Sequence, residues 1–178
     1  MLLLAQAVSA QSFKIARVQY GGGGDWYGDE KALESLLAYT RANSLLDVPA
    51  KEDVVTLADD RLYAYSVLYI VGHGNIEFSN SEAQRLRRYL DAGGFLIVND
   101  DYGFDTALRR EMRKVFPEQT FAEIPYGHPL FSAHFAFPNG LPKVHEHDGQ
   151  RAQAYGLTCE GGRLCVFYDF EADLGDGW

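Results

Sequence analysis

Two continuous apolar runs constrain the fold of this chain more than any other feature. Residues 67–71 read VLYIV and residues 95–98 read FLIV, and neither run contains a charged side chain. Runs of this kind are typical of strands buried on both faces, because a strand with one solvated face would alternate apolar and polar residues. The sequence therefore predicts a parallel sheet covered by helices.

Helix signals between the apolar runs support this interpretation. Ser79 and Glu82 have the spacing of a capping box, and we expect Asp29 to cap a helix over residues 30–40 and Asp105 to cap another. Further strands are predicted over residues 13–18, 54–57, 121–124, 152–158 and 164–170. This order predicts an α/β fold of three layers, a flavodoxin-like, mainly parallel sheet with helices on both faces and a late antiparallel hairpin.

The length of 178 residues suits a single domain, which we place at residues 11–178. Residues 1–10 read MLLLAQAVSA, and small residues at Val8 and Ala10 precede a possible cleavage point at Gln11. We interpret this segment as the remnant of a signal peptide, which predicts a periplasmic or secreted protein. The alternative is a short apolar strand or a frayed end. The segment is too short to span a bilayer, which needs about 20 apolar residues, so we expect no stable membrane insertion.

The charge balance narrows the class of partner. The chain has 25 acidic and 16 basic residues, with a formal net charge of −9. An acidic surface repels phosphate backbones, so nucleic acid is not an expected partner. The cofactor stays unknown, because the glycines after the first strand match neither a P-loop nor a dinucleotide fingerprint.

The two cysteines, Cys159 and Cys165, flank a Glu-Gly-Gly-Arg turn. A two-residue turn would place them on opposite faces of the hairpin, whereas a three-residue loop would place them opposite each other. The register of the hairpin therefore decides between a disulfide and two buried free thiols.

Ligands of open parallel sheets bind beyond the carboxyl ends of the strands, so the residues that follow each strand are the candidate site. Gly22 and Gly23 follow the first strand and allow a close approach of the backbone to a ligand. Asp25, Trp26 and Tyr27 come next and could hold a sugar by hydrogen bonding and stacking. The alternative is a flexible glycine turn with aromatic side chains that only pack.

His73 follows the VLYIV run between two glycines, and Asp100 and Asp101 follow the FLIV run. An imidazole at a strand end can act in general acid–base catalysis, and adjacent carboxylates can bind a cation or raise each other's pKa. The competing interpretations are a solvated loop histidine and carboxylates that cap the next helix. We expect Asp25 and these three residues to converge on one rim, with His73, Asp100 and Asp101 as the catalytic candidates.

Two segments near the C-terminus have residue spacings that resemble metal sites, although we assign no metal ligand from sequence. His145 and His147 lie two residues apart, as in a metal clip, and Asp169, Glu171 and Asp173 alternate in a calcium-like spacing. Each segment is also compatible with an ordinary polar surface or a solvated acidic loop.

Several motifs taken together resemble one known family. YGGGGDWY, GHGNIEFSNSEAQRLRRYLDAGGFLIVND, GFDTALRREMRKVFP, HPLF and DLGDGW resemble the bacterial domain-of-unknown-function family numbered 4159, over residues 13–178. The resemblance implies a class I glutamine-amidotransferase-like, flavodoxin-like fold, export in many members, and a further C-terminal segment after DLGDGW. The middle segment is also similar to trehalose-utilisation-type domains, which implies a carbohydrate-related role. Neither cysteine lies on a turn after a central strand, which disfavours a cysteine glutaminase.

Two functions follow as hypotheses. The first is an exported domain that binds or hydrolyses a small polar, saccharide-like ligand at the carboxyl ends of the strands. The alternative is a non-catalytic interaction or structural module of the cell envelope. A pocket with converging carboxylates would favour the first, and a shallow rim with divergent side chains would favour the second.

Overall fold

The computed structural model describes residues 13–147 and 149–178, so the predicted signal peptide lies outside the described residues. The described chain contains three α-helices, α1 (Ala32–Asn43), α2 (Asn80–Asp91) and α3 (Asp105–Val115). None of these helices combines the length and apolarity needed to cross a membrane. The strands are β1 (Ile15–Val18), β2 (Asp53–Val55), β3 (Val67–Ile70), β4 (Phe95–Val98), β5 (Ala122–Glu123), β6 (Tyr155–Thr158) and β7 (Leu164–Tyr168).

These strands form one sheet in the order β2-β1-β3-β4-β7-β6-β5. The first five strands of that order pair in parallel, whereas β6 pairs antiparallel with both β7 and β5. The predicted mixed α/β class, the mainly parallel sheet and the late antiparallel hairpin are confirmed.

The helices cover both faces of the sheet. Val67 and Tyr69 of β3 pack with Leu33 of α1 on one side. Leu68 faces the opposite way, because side chains alternate along a strand, and joins a larger core with the apolar residues of α2 and α3. The VLYIV run is therefore apolar throughout because helices bury both of its faces.

The helix starts were predicted with mixed success. The capping box of α2 is confirmed, with Ser79 and Glu82 exchanging side-chain and backbone hydrogen bonds. The two predicted aspartate caps are wrong. Lys31 precedes α1, and Asp29 adopts a left-handed φ of 51° that turns the chain before the helix. Asp105 is already inside α3, where its carboxylate accepts hydrogen bonds from neighbouring side chains.

Cys159 and Cys165 form a disulfide, with their Cα atoms 5.8 Å apart. Neither register considered from sequence occurs. Thr158 pairs with Leu164 and the next pair along the hairpin skips Cys165, which is the extra residue of a β-bulge. The bulge brings the two cysteines together, and the disulfide is buried in the larger core.

Candidate functional site

The site lies at the carboxyl ends of four neighbouring parallel strands. The segments after β1, β3, β4 and β7 carry Asp25, His73, Asn99 and Asp173, respectively. These strands are adjacent in the sheet, so the segments meet at one rim.

His73 and Asp25 form a hydrogen-bonded pair at this rim. One carboxylate oxygen of Asp25 accepts the backbone N–H of His73, and the other lies 3.0 Å from His73 Nδ1. Asp101 Oδ2 lies 3.6 Å from the same nitrogen. The side chain of Asp101 is only 2% exposed, whereas that of His73 is 56% exposed. Asp25 thus orients an imidazole that remains open to solvent, and Asp101 lies directly beneath it.

Asn99 connects Asp101 to two further carboxylates. Its side-chain NH2 group lies 2.7 Å from Asp101 Oδ1, 3.0 Å from Asp173 Oδ1 and 3.2 Å from Asp29 Oδ2. Its Oδ1 accepts the backbone N–H of Gly175. Asn99 is completely buried, so it fixes the relative positions of these three acids.

Two glycines permit this crowding. A Cβ at Gly175 would lie 2.0 Å from Asp29 Oδ2, and a Cβ at Gly28 would lie 2.7 Å from Asp101 Oδ2. A side chain at either position would clash with these carboxylates, so only glycine fits there. Neither glycine was among the residues predicted from sequence to form the site.

The pKa values of two of the crowded carboxyl groups are raised. Burial, and then the negative charge of Asp29, raises the pKa of Asp101 to about 8, although the hydrogen bond from Asn99 opposes the shift. Burial, and then the charge of Asp173, raises the pKa of Asp29 to about 6. The cluster has an excess of negative charge that only protons or a cation can offset.

Two histidines approach the same cluster from the segment before β6. His145 Nδ1 and His147 Nε2 each lie 3.3 Å from Asp173 Oδ2. The side chain of His147 is 2% exposed and packs edge-on against Tyr102, whereas the side chain of His145 is 64% exposed. These side chains open into a hollow of about 320 Å³ lined by His73, Asp101, Tyr102, His145, Glu146 and His147.

Asp100 contacts a different part of the rim. Its carboxylate accepts the backbone N–H of Glu171, and its own N–H donates to Asp169. Burial raises the pKa of Asp100, and it raises the pKa of the fully buried Asp169 further. Within the described residues, His73 contacts Asp25 and Asp101 and not Asp100, so three of the four residues expected to converge are brought together.

The glycine segment lies beside the His73 loop. Gly22 accepts a hydrogen bond from the side chain of Asn75, and both Gly22 and Gly23 have left-handed φ values. Trp26 packs against the larger core, whereas Tyr27 is 64% exposed and meets Trp26 edge to face. Of the two aromatics predicted to stack on a ligand, Tyr27 has the accessible ring.

Sequence reasoning missed how the separate motifs combine. Asp29 was interpreted as a helix cap and Asn99 was not among the candidate residues, and both are central to the cluster. His145, His147 and Asp173 were recognised in two unrelated segments, and only the fold places them within 4.8 Å of one another. The alternating acidic residues after β7 were the available signal, because they follow a strand whose carboxyl end lies at the rim.

Comparison with known proteins gives a family and no activity. A search of curated proteins finds no match to the chain. The family model described as Domain of unknown function (DUF4159) matches residues 14–178, which include every residue of the site. The chain therefore belongs to the DUF4159 family.

Proposed function

We propose that this domain binds a small polar, saccharide-like ligand at the rim and hydrolyses it with His73 as general base. The observation that carries the proposal is the contact of His73 with Asp25 and Asp101 at the ends of parallel strands. We also propose a flavodoxin-like fold, because the order β2-β1-β3-β4 followed by a fifth parallel strand, β7, matches that class.

The hydrogen bond to Asp25 gives His73 a definite chemical role. With the proton on Nδ1 and donated to Asp25 Oδ2, the other ring nitrogen, Nε2, is unprotonated and can accept a proton from water. The water oxygen bonds to the anomeric carbon of the ligand as the glycosidic C–O bond breaks, the departing oxygen takes a proton from solvent, and His73 releases the proton it accepted to solvent, so that one water is consumed. Asp25 Oδ2 lies 3.0 Å from Nδ1 and stabilises the imidazolium formed in this step, and the buried Asp101 lies 3.6 Å from the same nitrogen.

The surroundings favour a polar ligand. The hollow beside His73 is lined by histidine and carboxylate side chains and by the exposed ring of Tyr102. An aromatic face together with several hydrogen-bonding groups suits a sugar ring, whose two faces carry C–H groups and whose edge carries hydroxyls.

Export to the periplasm or medium is part of the proposal. The disulfide between Cys159 and Cys165 supports it, because disulfides persist in oxidising compartments and are rare in the cytosol. The apolar start of the chain supports it independently.

The test combines ligand binding with turnover. Saturation-transfer NMR against a panel of mono- and disaccharides detects binding, and p-nitrophenyl glycosides report hydrolysis. We expect His73→Asn to lower the turnover by about 10²- to 10⁴-fold with little loss of binding, since general base catalysis is worth that much. His134→Asn is the matched control, because His134 is exposed and contacts Phe135 rather than the rim.

Equal turnover in His73→Asn and wild type would remove the catalytic role. A wild-type protein that neither binds the saccharides nor cleaves the glycosides would favour the competing proposal, a non-catalytic module of the envelope.

A further inference from the structure

We propose that His145, His147 and Asp173 form a binding site for a divalent transition metal of the Zn²⁺ type. Zn²⁺ is bound in proteins by histidine nitrogens and carboxylate oxygens, and catalytic zinc sites use three protein ligands and keep one position for water. His145 and His147 supply nitrogens, and Asp173 supplies an oxygen.

The spacing of the three ligand atoms suits a tetrahedral ion. Metal–ligand bonds of about 2.0–2.1 Å give a tetrahedron whose edges are about 3.3–3.4 Å long. Both measured edges from Asp173 Oδ2, to His145 Nδ1 and to His147 Nε2, are 3.3 Å. The three atoms all lie within 4.8 Å of one another, so a small inward movement of the exposed His145 completes the set.

The electrostatic surroundings favour a cation. Asp173 shares the donor group of Asn99 with Asp29 and Asp101, so three carboxyl groups are close together. Among the residues that the structure describes, no lysine or arginine side chain forms an ion pair with any of the three carboxylates, and the charged partners of Asp101 and Asp173 are histidines. A bound divalent ion would relieve this repulsion.

An unpartnered buried oxygen provides a second observation that points to a ligand. Asp101 Oδ2 has no hydrogen-bond partner although its side chain is 2% exposed. Asp101 lines the same hollow as both histidines of the proposed site. A buried acceptor without a donor is destabilising, and a water bound to the metal would have an O–H group to donate to Asp101 Oδ2.

The metal site stands on its own geometry, and its link to chemistry rests on the proposed function. A divalent ion of this kind lowers the pKa of its bound water. His73 lines the same hollow, where it can accept the proton of such a water. The metal would then supply the nucleophile for the hydrolysis proposed above.

The experiment measures zinc binding without any substrate. Protein treated with EDTA and then freed of it is titrated with ZnCl₂ by calorimetry, and Co²⁺ is added in parallel because its visible spectrum reports tetrahedral coordination. We expect one Zn²⁺ per chain in wild type, and an affinity at least about tenfold lower in His145→Ala. His145 is 64% exposed, so this variant keeps the fold.

The matched control is His134→Ala, another exposed histidine, which should bind zinc like wild type. Equal zinc affinity in His145→Ala and wild type, or no zinc binding by wild type, would overturn the proposal and leave an ion pair only. Binding of Ca²⁺ in place of Zn²⁺, unaffected by His145→Ala, would also overturn it, because it would show an all-oxygen site. His73→Asn separates the two proposals, since it should keep zinc binding and lose turnover.

Discussion

Glu111 and Asp101 are both buried carboxyl groups, but the protein treats them in opposite ways. Glu111 on α3 is inaccessible to solvent, and its oxygens accept hydrogen bonds from Arg110, Lys114 and the backbone N–H of Phe78. Asp101 receives one hydrogen bond from Asn99 and has other carboxyls as neighbours. Arg110 and Lys114 supply Glu111 with cationic partners, whereas no lysine or arginine among the described residues forms an ion pair with Asp101.

This difference separates a structural acid from the acid that we propose to be functional. Burial raises the pKa of Glu111, but its hydrogen bonds from Lys114, Phe78 and Arg110 outweigh burial and leave the pKa below its ordinary value. Burial of Asp101 is reinforced by neighbouring negative charge, and its pKa rises to about 8. Strongly perturbed groups of the second kind concentrate at functional sites.

Removing the charge of Glu111 should have the largest effect on stability. Glu111→Gln should lower the free energy of unfolding by about 1.5–3 kcal/mol, because the buried side chain loses its charge-assisted hydrogen bonds from Lys114 and Arg110. Urea denaturation measures the change, and Glu118→Gln, at a half-exposed ion pair with Arg87, should stay close to wild type. An equal loss of stability in the two variants would show that burial gives the ion pairs of Glu111 no greater effect than the exposed pair of Glu118.

Zinc should stabilise the rim by a comparable amount and leave the Glu111 region unaffected. At 100 times its dissociation constant, Zn²⁺ should raise the free energy of unfolding by about 2.7 kcal/mol. Glu111→Gln should show the same increment, because Glu111 shares no hydrogen-bond partner with the metal ligands among the described residues. In His145→Ala, the same zinc concentration should raise the free energy of unfolding only slightly. An increment that persists in His145→Ala would place the ion elsewhere.

A neutral amide at Asp101 should have a small effect in metal-free protein. Asp101→Asn should leave the free energy of unfolding within about 1 kcal/mol of wild type, or raise it, because it removes one of three crowded acids. The contrast with Glu111→Gln is the sharpest form of the comparison. A loss as large as that of Glu111→Gln would mean that Asp101 is a satisfied structural group.

Acid should remove the advantage of Glu111 gradually. Its folded pKa is depressed, so its ionised form stabilises the protein above its unfolded pKa of about 4.3, and this stability is lost as the pH falls through the folded pKa. The difference between wild type and Glu111→Gln should therefore shrink below about pH 5 in denaturation curves recorded across pH. A difference independent of pH would assign the effect to shape rather than charge.

Local patterns in the sequence predicted most of the elements. The VLYIV and FLIV runs became central strands, and the Ser79 capping box formed as expected. The failures involve aspartates with two possible uses. Asp29 could cap a helix locally or face a distant carboxylate, and the tertiary contact through Asn99 decided the outcome.

The candidate site was predictable where one strand end contributes a whole motif, as with His73 and Asp101. It was not predictable where distant segments combine. The local sequence does not predict the contact between His145 and Asp173, because that contact depends on the path of the chain between them. The sequence likewise left the disulfide undecided, because the β-bulge at Cys165 that brings the two cysteines together was not predicted.

By itself, the sequence determined the α/β class, the buried parallel strands, the acidic balance and the strand-end position of His73. These properties are local or compositional, because hydrophobic periodicity and capping act over a few residues. Only the tertiary structure decided which acids share a cation-poor cluster and which histidines meet Asp173. Those contacts depend on strand order, which brings the ends of β1, β3, β4 and β7 to one rim from positions far apart in the chain.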